Sequence, residues 1–451
     1  MPARLRLALA AALAAALAAI CAGSPPALTA SGAAAHALPL AHAPRVAARP
    51  SRAPRAQAHP SARWTLQSIS PTPYMGWDTY FALSARFSES TILTEAGELI
   101  ARGLAHDGYR YVWLDAGWWQ GARTRRGEIE VNPAQWPHGI AWLARTLHAA
   151  GLRLGVYTDA GSNGCGGAYE GSYGHYQQDV NTFARWGVDA VKVDFCGGIQ
   201  QRLSPKNAYT AFHDAIVHNS SHRPILLSIC NFLEPGQYLS DVPKYNGSSF
   251  TSYTFGPHIA NSWRTDTDVG DPGYVPFSQV LRNLDADAAH PEAAGPGHWN
   301  DPDYLGPDQA LTATQFRTQL SMWAMVAAPL MISDNLDTMS PASQEALQNR
   351  EVIAVDQDPA GVQGLLVSSS EAGAQVWEKP LRDGSRAVAL LNRSGGPLTI
   401  STSASLVGMP PAPEYTVRNL WAHTSSTTSG ALEAQVPADG TALFRLHARG
   451  G

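Results

Sequence analysis

Residues 190–194 read Ala-Val-Lys-Val-Asp, a short apolar run that ends in a carboxylate. From Pro73 to about Asp358 the same pattern recurs, with each run followed by an amphipathic stretch. Alternation of this kind is typical of parallel strands joined by helical crossovers. The candidate strands are Tyr74–Trp77, Tyr109–Asp115, Arg153–Asp159, Ala190–Asp194, Ile225–Asn231, Ser262–Asp268, His298–Asp303 and Leu330–Asp334.

Amphipathic segments lie between these runs. In Ser88–Arg102 and again in Gln315–Met325, apolar residues recur at helical spacing. The repeats predict an α/β fold, a (β/α)8 TIM barrel, in which the carboxyl ends of the strands form a polar rim. An open, doubly wound sheet is the alternative, and the lack of a Gly-rich phosphate loop after the first strand disfavours it.

The rest of the chain divides into three further regions. Residues 1–23 join a basic start to an Ala/Leu run, which predicts a signal peptide, with a membrane anchor as the alternative. Residues 24–63, rich in Ala and Pro, are predicted to be a disordered linker. We assign residues 64–361 to the barrel. Residues 362–451, with short alternating runs, are assigned to a small C-terminal antiparallel β-sandwich domain.

Composition narrows the possible partners. The chain has 451 residues, a formal net charge of -5 and no long block of one charge sign, so neither nucleic acid nor a stable membrane association is expected. The signal peptide predicts a secreted protein. None of Cys165, Cys196 and Cys230 shows the spacing of a zinc site, so no metal is predicted, and export permits one disulfide. The sequence does not indicate an oligomeric state.

Carboxylates stand at the ends of most candidate strands. They are Asp115, Asp159, Asp194, Asp268, Asp301 and Asp303. An isolated aspartate at such a position is commonly a helix cap. Interleaved tryptophans offer apolar faces to sugar rings, namely Trp77, Trp113, Trp118, Trp263 and Trp299. Carboxylates and indoles together favour cleavage of a glycosidic bond over capping alone.

Several short motifs follow one another along the barrel region. They are Met75-Gly-Trp77, Trp113-Leu-Asp115, Gly155-Val-Tyr157-Thr-Asp159, Lys192-Val-Asp194-Phe-Cys196, Trp263-Arg264, Asp268-Val269, Trp299-Asn-Asp301-Pro-Asp303 and Ala328-Pro-Leu-Met331. The series resembles glycoside hydrolase family 27, the family of α-galactosidases and α-N-acetylgalactosaminidases. The resemblance implies a retaining exo-glycosidase that releases terminal α-D-galactosyl residues through a covalent glycosyl-enzyme and needs no cofactor.

The resemblance also implies the catalytic roles. Asp194 would be the nucleophile and Asp268 the acid/base, whereas the neighbouring Asp266 is given a structural or rim role. Lys192 and, more weakly, Arg264 are expected to favour an ionised Asp194. For net retention the two carboxyl groups should lie about 5–5.5 Å apart.

Further roles follow from the same resemblance. The implied sugar contacts are Tyr157, Lys192, Arg264 and Asp303, with Asp115 binding a hydroxyl at the closed end of the pocket. Cys165 and Cys196 match a disulfide beside the nucleophile, and Cys230 would be a buried free thiol.

Three pocket positions depart from the usual family pattern. Ala116 replaces a second aspartate, Asn231 stands where glutamate is common, and Tyr80 replaces a tryptophan. Asn231 and Tyr80 still offer hydrogen bonds and are predicted to bind substrate. Because a lost buried acceptor alters discrimination between sugars, the alternatives are an isomaltose-releasing dextranase, an α-N-acetylgalactosaminidase and a β-L-arabinopyranosidase. A non-catalytic carbohydrate-binding protein is the alternative from another class.

Overall fold

The computed structural model describes residues 64–165, 169–231 and 251–450. The predicted signal peptide and linker lie outside these ranges. Among the described residues, no helix is both long and apolar enough to cross a bilayer.

A sheet of parallel strands forms the barrel. The strands are β1 Met75–Asp78, β2 Tyr111–Leu114, β3 Arg153–Asp159, β4 Ala190–Asp194, β5 Leu226–Ile229, β6 Ser262–Arg264, β7 Trp299–Asp301 and β8 Leu330–Ile332. Their spatial order is β7-β6-β5-β4-β3-β2-β1-β8. Leu305, after β7, bridges the remaining side: its N–H donates to the Met331 carbonyl at 2.8 Å, and its carbonyl accepts from the Ser333 N–H at 2.9 Å. The predicted TIM barrel is confirmed.

Helices connect the strands. They are α1 Leu66–Ile69, α2 Thr79–Leu83, α3 Glu89–Ala101, α4 Ile140–Ala149, α5 Tyr176–Trp186, α6 Cys196–Gln200, α7 Pro205–Val217, α8 Gly256–Ile259, α9 Phe277–Asp287, α10 Ala313–Val326, α11 Pro341–Leu347 and α12 Arg350–Asp356. Short 3-10 turns lie at Ser252–Thr254 and Pro291–Ala293. The two segments predicted from helical spacing form α3 and α10. Helix α10 begins with a capping box in which Thr312 and Gln315 exchange hydrogen bonds.

Several strands end earlier than the sequence predicts. β2 ends at Leu114 and β6 at Arg264, so Asp115 and Asp268 lie on rim loops beyond them. All of β4 is buried, as expected for a barrel strand covered by side chains inside and helices outside.

The C-terminal domain is antiparallel, as predicted. Its strands are β9 Leu365–Ser369, β10 Ala374–Pro380, β11 Arg386–Asn392, β12 Leu398–Ser403, β13 Glu414–Asn419, β14 Thr424–Thr428, β15 Ala431–Val436 and β16 Thr441–Arg449. A larger sheet has the order β14-β13-β16-β11-β10-β9, and β12 pairs with β15. Apolar side chains such as Leu390, Val417 and Leu432 fill the core of this domain.

Helix α10 joins the barrel to the C-terminal domain. It packs against β10, β11 and β16. The Lys379 ammonium, fully buried, donates to the Ala324 carbonyl at 2.7 Å. The Trp421 indole donates to the Ser321 hydroxyl at 2.9 Å. Polar contacts therefore fix the junction in addition to apolar packing.

Candidate active site

A cavity of about 330 Å³ opens at the carboxyl ends of the barrel strands. In the register of β3 and β4, Tyr157 lies beside Lys192, and Asp159 lies beside Asp194. Side chains two apart on a strand share a face, so Lys192 and Asp194 point to the same side of β4. The lining residues are Tyr80, Ser84, Ala85, Asp115, Ala116, Tyr157, Cys165, Lys192, Asp194, Asp268 and Pro272.

The Asp194 carboxylate is almost completely buried. Its Oδ1 lies 3.9 Å from the Lys192 ammonium and has no hydrogen-bond partner within the described ranges. Its Oδ2 lies 3.2 Å from the sulfur of Cys165. Burial raises the pKa of Asp194 to about 8, whereas the Lys192 ammonium lowers it. A buried carboxylate oxygen without a donor is suited to attack an electrophilic carbon.

Lys192 places a positive charge on the wall of the cavity. Its ammonium lies between 5.2 and 5.8 Å from the ring centroids of Tyr80, Tyr157 and Tyr304. It donates to Asp115 Oδ2 at 2.7 Å and to the Tyr304 hydroxyl at 3.1 Å. Burial alone would lower the pKa of Lys192, but the neighbouring carboxylates raise it well above its ordinary value. The lysine is therefore held charged.

Asp115 accepts several hydrogen bonds from the protein. The Ala116 N–H donates to its Oδ1 at 2.7 Å, and the Tyr304 hydroxyl donates to its Oδ2 at 2.9 Å. With Lys192 as a third donor, the carboxylate has little remaining capacity for sugar hydroxyls. Sequence reasoning did not identify Tyr304, although it directly follows the Asp301-Pro-Asp303 motif.

Arg264 lies beside the predicted acid/base. Its guanidinium is 3.0 Å from Asp268 Oδ1 and 2.9 Å from Asp303 Oδ2. The side chain of Asp268 is 32% exposed, whereas that of Arg264 is 3% exposed. Arg264 therefore pairs with Asp268 and Asp303, because the loop after β6 brings Asp268 back over the end of the strand.

Asp303 is held in an unusual backbone conformation. Its φ is 89°, a region that costs a non-glycine residue about 1–3 kcal/mol. The Asp303 N–H donates to Asp301 Oδ1 at 2.9 Å, and the Trp323 indole donates to the Asp303 carbonyl at 2.7 Å. The Val269 N–H donates to Asp303 Oδ2 at 2.7 Å. Asp303 Oδ1 is buried without a partner among the described atoms, and Asp303, which was predicted to contact the sugar, is not among the residues that line the cavity.

A disulfide joins Cys165 to Cys196, with the Cα atoms 5.0 Å apart. The predicted pairing is confirmed. The Cys165 N–H donates to the Tyr157 hydroxyl at 3.0 Å, which leaves the phenolic proton free to donate to a ligand. Cys230 is a buried free thiol, as expected.

The Asp159 side chain stabilises the start of helix α6. Its carboxylate accepts from the N–H groups of Gly197 and Gly198 at 3.2 Å each, at the start of α6. Asp266 likewise does not line the cavity and lies 3.2 Å from Arg282, which agrees with its predicted structural role.

Asn231 does not line the cavity. It is fully buried, and its side-chain oxygen accepts from the Ser252 hydroxyl at 3.0 Å. It lies directly before residues 232–250, which are outside the described ranges.

The expectation that tryptophans line the site is wrong. Trp77, Trp113, Trp118, Trp263 and Trp299 are all buried in the core, and none lines the cavity. Tyrosines provide its aromatic surface instead.

Potential metal ligands are few in the part of the chain that the structure describes. One group of three side chains meets the distance requirement, namely Asp159, Cys165 and Cys196. Both of its cysteines are in the disulfide, so the group retains only a carboxylate as a ligand.

Comparison with known families agrees with this geometry. Residues 81–358 match the family model described as alpha galactosidase A, and residues 371–446 match the alpha galactosidase C-terminal beta sandwich domain. The chain belongs to glycoside hydrolase family 27. As predicted, this family 27 protein is an enzyme of the α-galactosidase-like glycoside hydrolases.

Relatives of this family 27 hydrolase include plant and animal proteins. It is 35% identical to the alpha-galactosidase of Cyamopsis tetragonoloba, over 84% of this chain and 87% of that protein. It is 33% identical to alpha-galactosidase A of Homo sapiens, over 77% of this chain and 81% of that protein. The crystal structure of alpha-galactosidase I from Mortierella vinacea is similar with a TM-score of 0.75 at 26% identity, covering 85% of this chain and 98% of that chain.

Proposed function

We propose that this hydrolase is a retaining exo-α-galactosidase. The observation that carries the proposal is that two carboxylates, Asp194 and Asp268, line one cavity of single-sugar size together with Lys192 and Tyr157. Relatives that share about a third of its sequence are named alpha-galactosidases. Asp115 is buried whereas Asp268, on the same cavity, is 32% exposed, an arrangement that supports binding of a terminal glycosyl unit with its leaving group toward solvent.

In the first step, Asp194 Oδ1 attacks the anomeric carbon and the bond to the glycosidic oxygen breaks. Asp268 gives its proton to that oxygen, so the leaving group departs as an alcohol. Asp268 lies at the more exposed side of the site, where a leaving group has room. Arg264 stabilises the carboxylate that Asp268 becomes after it has lost its proton.

In the second step, water attacks the anomeric carbon of the glycosyl-enzyme. Asp268 removes a proton from the water, the ester bond to Asp194 breaks, and both carboxyl groups return to their initial states. Two inversions give net retention. NMR of the first-formed sugar is expected to show the α-anomer, and a first-formed β-anomer would contradict the proposal.

The identity of the sugar is tested by a substrate panel. We expect the initial rate on an aryl α-galactoside to exceed the rates on the α-glucoside, the α-N-acetylgalactosaminide, the β-L-arabinopyranoside and dextran. Ala116 and the hydrogen bonds that already occupy Asp115 are the reasons to include these alternatives. Preference for another substrate of the panel would contradict the proposed sugar specificity but not the proposed catalytic mechanism.

The nucleophile is tested by Asp194→Asn. The amide cannot form the covalent intermediate, so kcat is expected to fall by about 10,000-fold or more. Sugar binding, followed by calorimetry, should persist because Lys192 and Tyr157 remain. Asp266→Asn is the matched control, since Asp266 is buried outside the cavity and should retain turnover. Equal losses in the two variants would reject the assignment.

We also propose that the protein is secreted. The support is the sequence pattern of residues 1–23, a basic start followed by an Ala/Leu run. N-terminal sequencing of protein from the culture medium should show a chain that has lost this segment. Full-length protein retained within the cells would contradict export.

A further inference from the structure

A rigid, exposed turn lies beside the predicted acid/base. Residues 271–274 read Asp-Pro-Gly-Tyr, and the ends exchange hydrogen bonds, from the Tyr274 N–H to the Asp271 carbonyl and from the Asp271 N–H to the Tyr274 carbonyl, each 2.9 Å. Gly273 has a φ of 86°, which a type II turn requires at its third position after proline.

Gln309 holds this turn in place through two hydrogen bonds on its buried side. Its side-chain oxygen accepts from the Gly273 N–H at 2.7 Å, and its carbonyl accepts from the Val275 N–H at 2.7 Å. The Gln309 amide donates in turn to Asp334 Oδ1 at 2.6 Å. Because Gln309 is buried, the turn is fixed to the barrel on one side and open to solvent on the other.

The same segment connects the turn to the catalytic cavity. Pro272 lines the cavity together with Asp268. Between them, Val269 is fully buried and donates its N–H to Asp303 at 2.7 Å. The position of the turn relative to Asp268 is therefore set by buried, hydrogen-bonded backbone.

Tyr274 is 59% exposed on this turn and does not line the cavity. A large aromatic side chain that is exposed on a rigid backbone contributes little to the core. A cavity of about 330 Å³ holds one glycosyl unit, so the remainder of a saccharide substrate must lie outside it, on the side from which Asp268 delivers its proton.

We propose that Tyr274 is the stacking platform of a leaving-group subsite for neutral saccharides. This inference rests on the proposed function. The apolar face of a sugar ring packs on the tyrosine ring, while the adjacent Pro272 guides the chain to the cavity. The subsite increases the rate for substrates whose leaving group is a sugar and leaves the glycosyl pocket unchanged.

The test compares leaving groups that share one glycosyl unit. For Tyr274→Ala, we expect kcat/KM on raffinose, whose leaving group is a disaccharide, to fall about three- to tenfold, the range that an aromatic contact supplies. On α-galactosyl fluoride it should change less than twofold, because fluoride does not reach the tyrosine. Tyr274→Phe keeps the ring and should restore hydrolysis of raffinose.

Leu406→Ala is the surface control, since Leu406 is 50% exposed in the C-terminal domain and should affect neither substrate. Thermal unfolding of Tyr274→Ala should match the wild-type protein. Equal changes on raffinose and the fluoride, or no change on raffinose, would overturn the subsite. If the wild-type enzyme cleaves neither galactoside, the proposed function fails first and this inference fails with it.

Discussion

The single residue on which the chemistry depends most is Asp194, and its protonation is set by opposing effects. Burial raises the pKa of Asp194 to about 8, and the Lys192 ammonium 3.9 Å away lowers it. Attack requires the ionised carboxylate. The enzyme therefore gains activity as pH rises through the pKa of Asp194 and loses it as pH falls.

Replacing Lys192 by Met should move the acid limb of kcat/KM to higher pH. The ammonium that lowers the pKa of Asp194 is then gone, and an opposite charge at this distance is worth on the order of one pH unit or more. The measurement is the pH profile of both proteins on one substrate. Lys206→Met, which removes an exposed lysine on α7, is the control and should leave the profile in place. A uniform loss at every pH would mean that Lys192 acts only in binding.

Residue roles were predicted unevenly from the sequence. The family resemblance led to Tyr80, Asp115, Tyr157, Lys192, Asp194 and Asp268, all of which line the cavity, and to Asn231, Arg264 and Asp303, which are not among its lining residues. The pairing of Arg264 with Asp268 and the hydrogen bonds of Tyr304 were not predicted, because both depend on how loops from separate strands fold over the rim. The tryptophans were wrongly expected to line the site, because an indole side chain suits a sugar-binding site and a barrel core equally.

At the scale of elements, the sequence pattern located every barrel strand, and it gave the ends of β3 and β4 correctly but not those of the other strands. The predicted strand Ser262–Asp268 is only Ser262–Arg264 in the structure, because the carboxyl ends of barrel strands open into loops where side chains turn toward the site. The apolar runs in the sequence reflect the packing of the sheet, so they do not predict the loops that follow the strands.

The disulfide connects two structural elements, the loop after β3 and helix α6. Replacing Cys165 and Cys196 by Ser should lower the free energy of unfolding by about 2–4 kcal/mol. It should also lower kcat/KM, because Cys165 lines the cavity and its N–H orients the Tyr157 hydroxyl. Urea unfolding and initial rates provide the measurements. Cys230→Ala leaves the bond intact and is the comparison, and an unaffected double variant would show that the bond is dispensable.

At the scale of the whole molecule, a buried lysine links the barrel to the C-terminal domain, through the hydrogen bond that Lys379 donates to the Ala324 carbonyl. Burial lowers the pKa of Lys379, on β10, to about 8, and the carboxylate of Asp356, on α12, acts in the opposite direction. Apolar alternation predicted both domains. It could not predict this junction, because a lysine inside a core is visible only once both partners are placed.

Replacing Lys379 by Met should destabilise the fold by about 1–3 kcal/mol, because the buried Ala324 carbonyl loses the hydrogen bond that it accepts at 2.7 Å. Thermal unfolding measures the effect. A variant as stable as the wild-type protein would show that this hydrogen bond does not stabilise the junction.

The same contact has a consequence for biogenesis. A ribosome releases the chain from its N-terminus, so α10 emerges before β10, and Lys379 follows its acceptor Ala324 by 55 residues. A nascent chain that already contains the whole barrel therefore still presents the outer face of α10 to water and to chaperones. Synthesis of the C-terminal strands buries that face of α10. A premature stop codon in this region would leave a barrel with exposed apolar surface, which is prone to aggregation and rapid degradation.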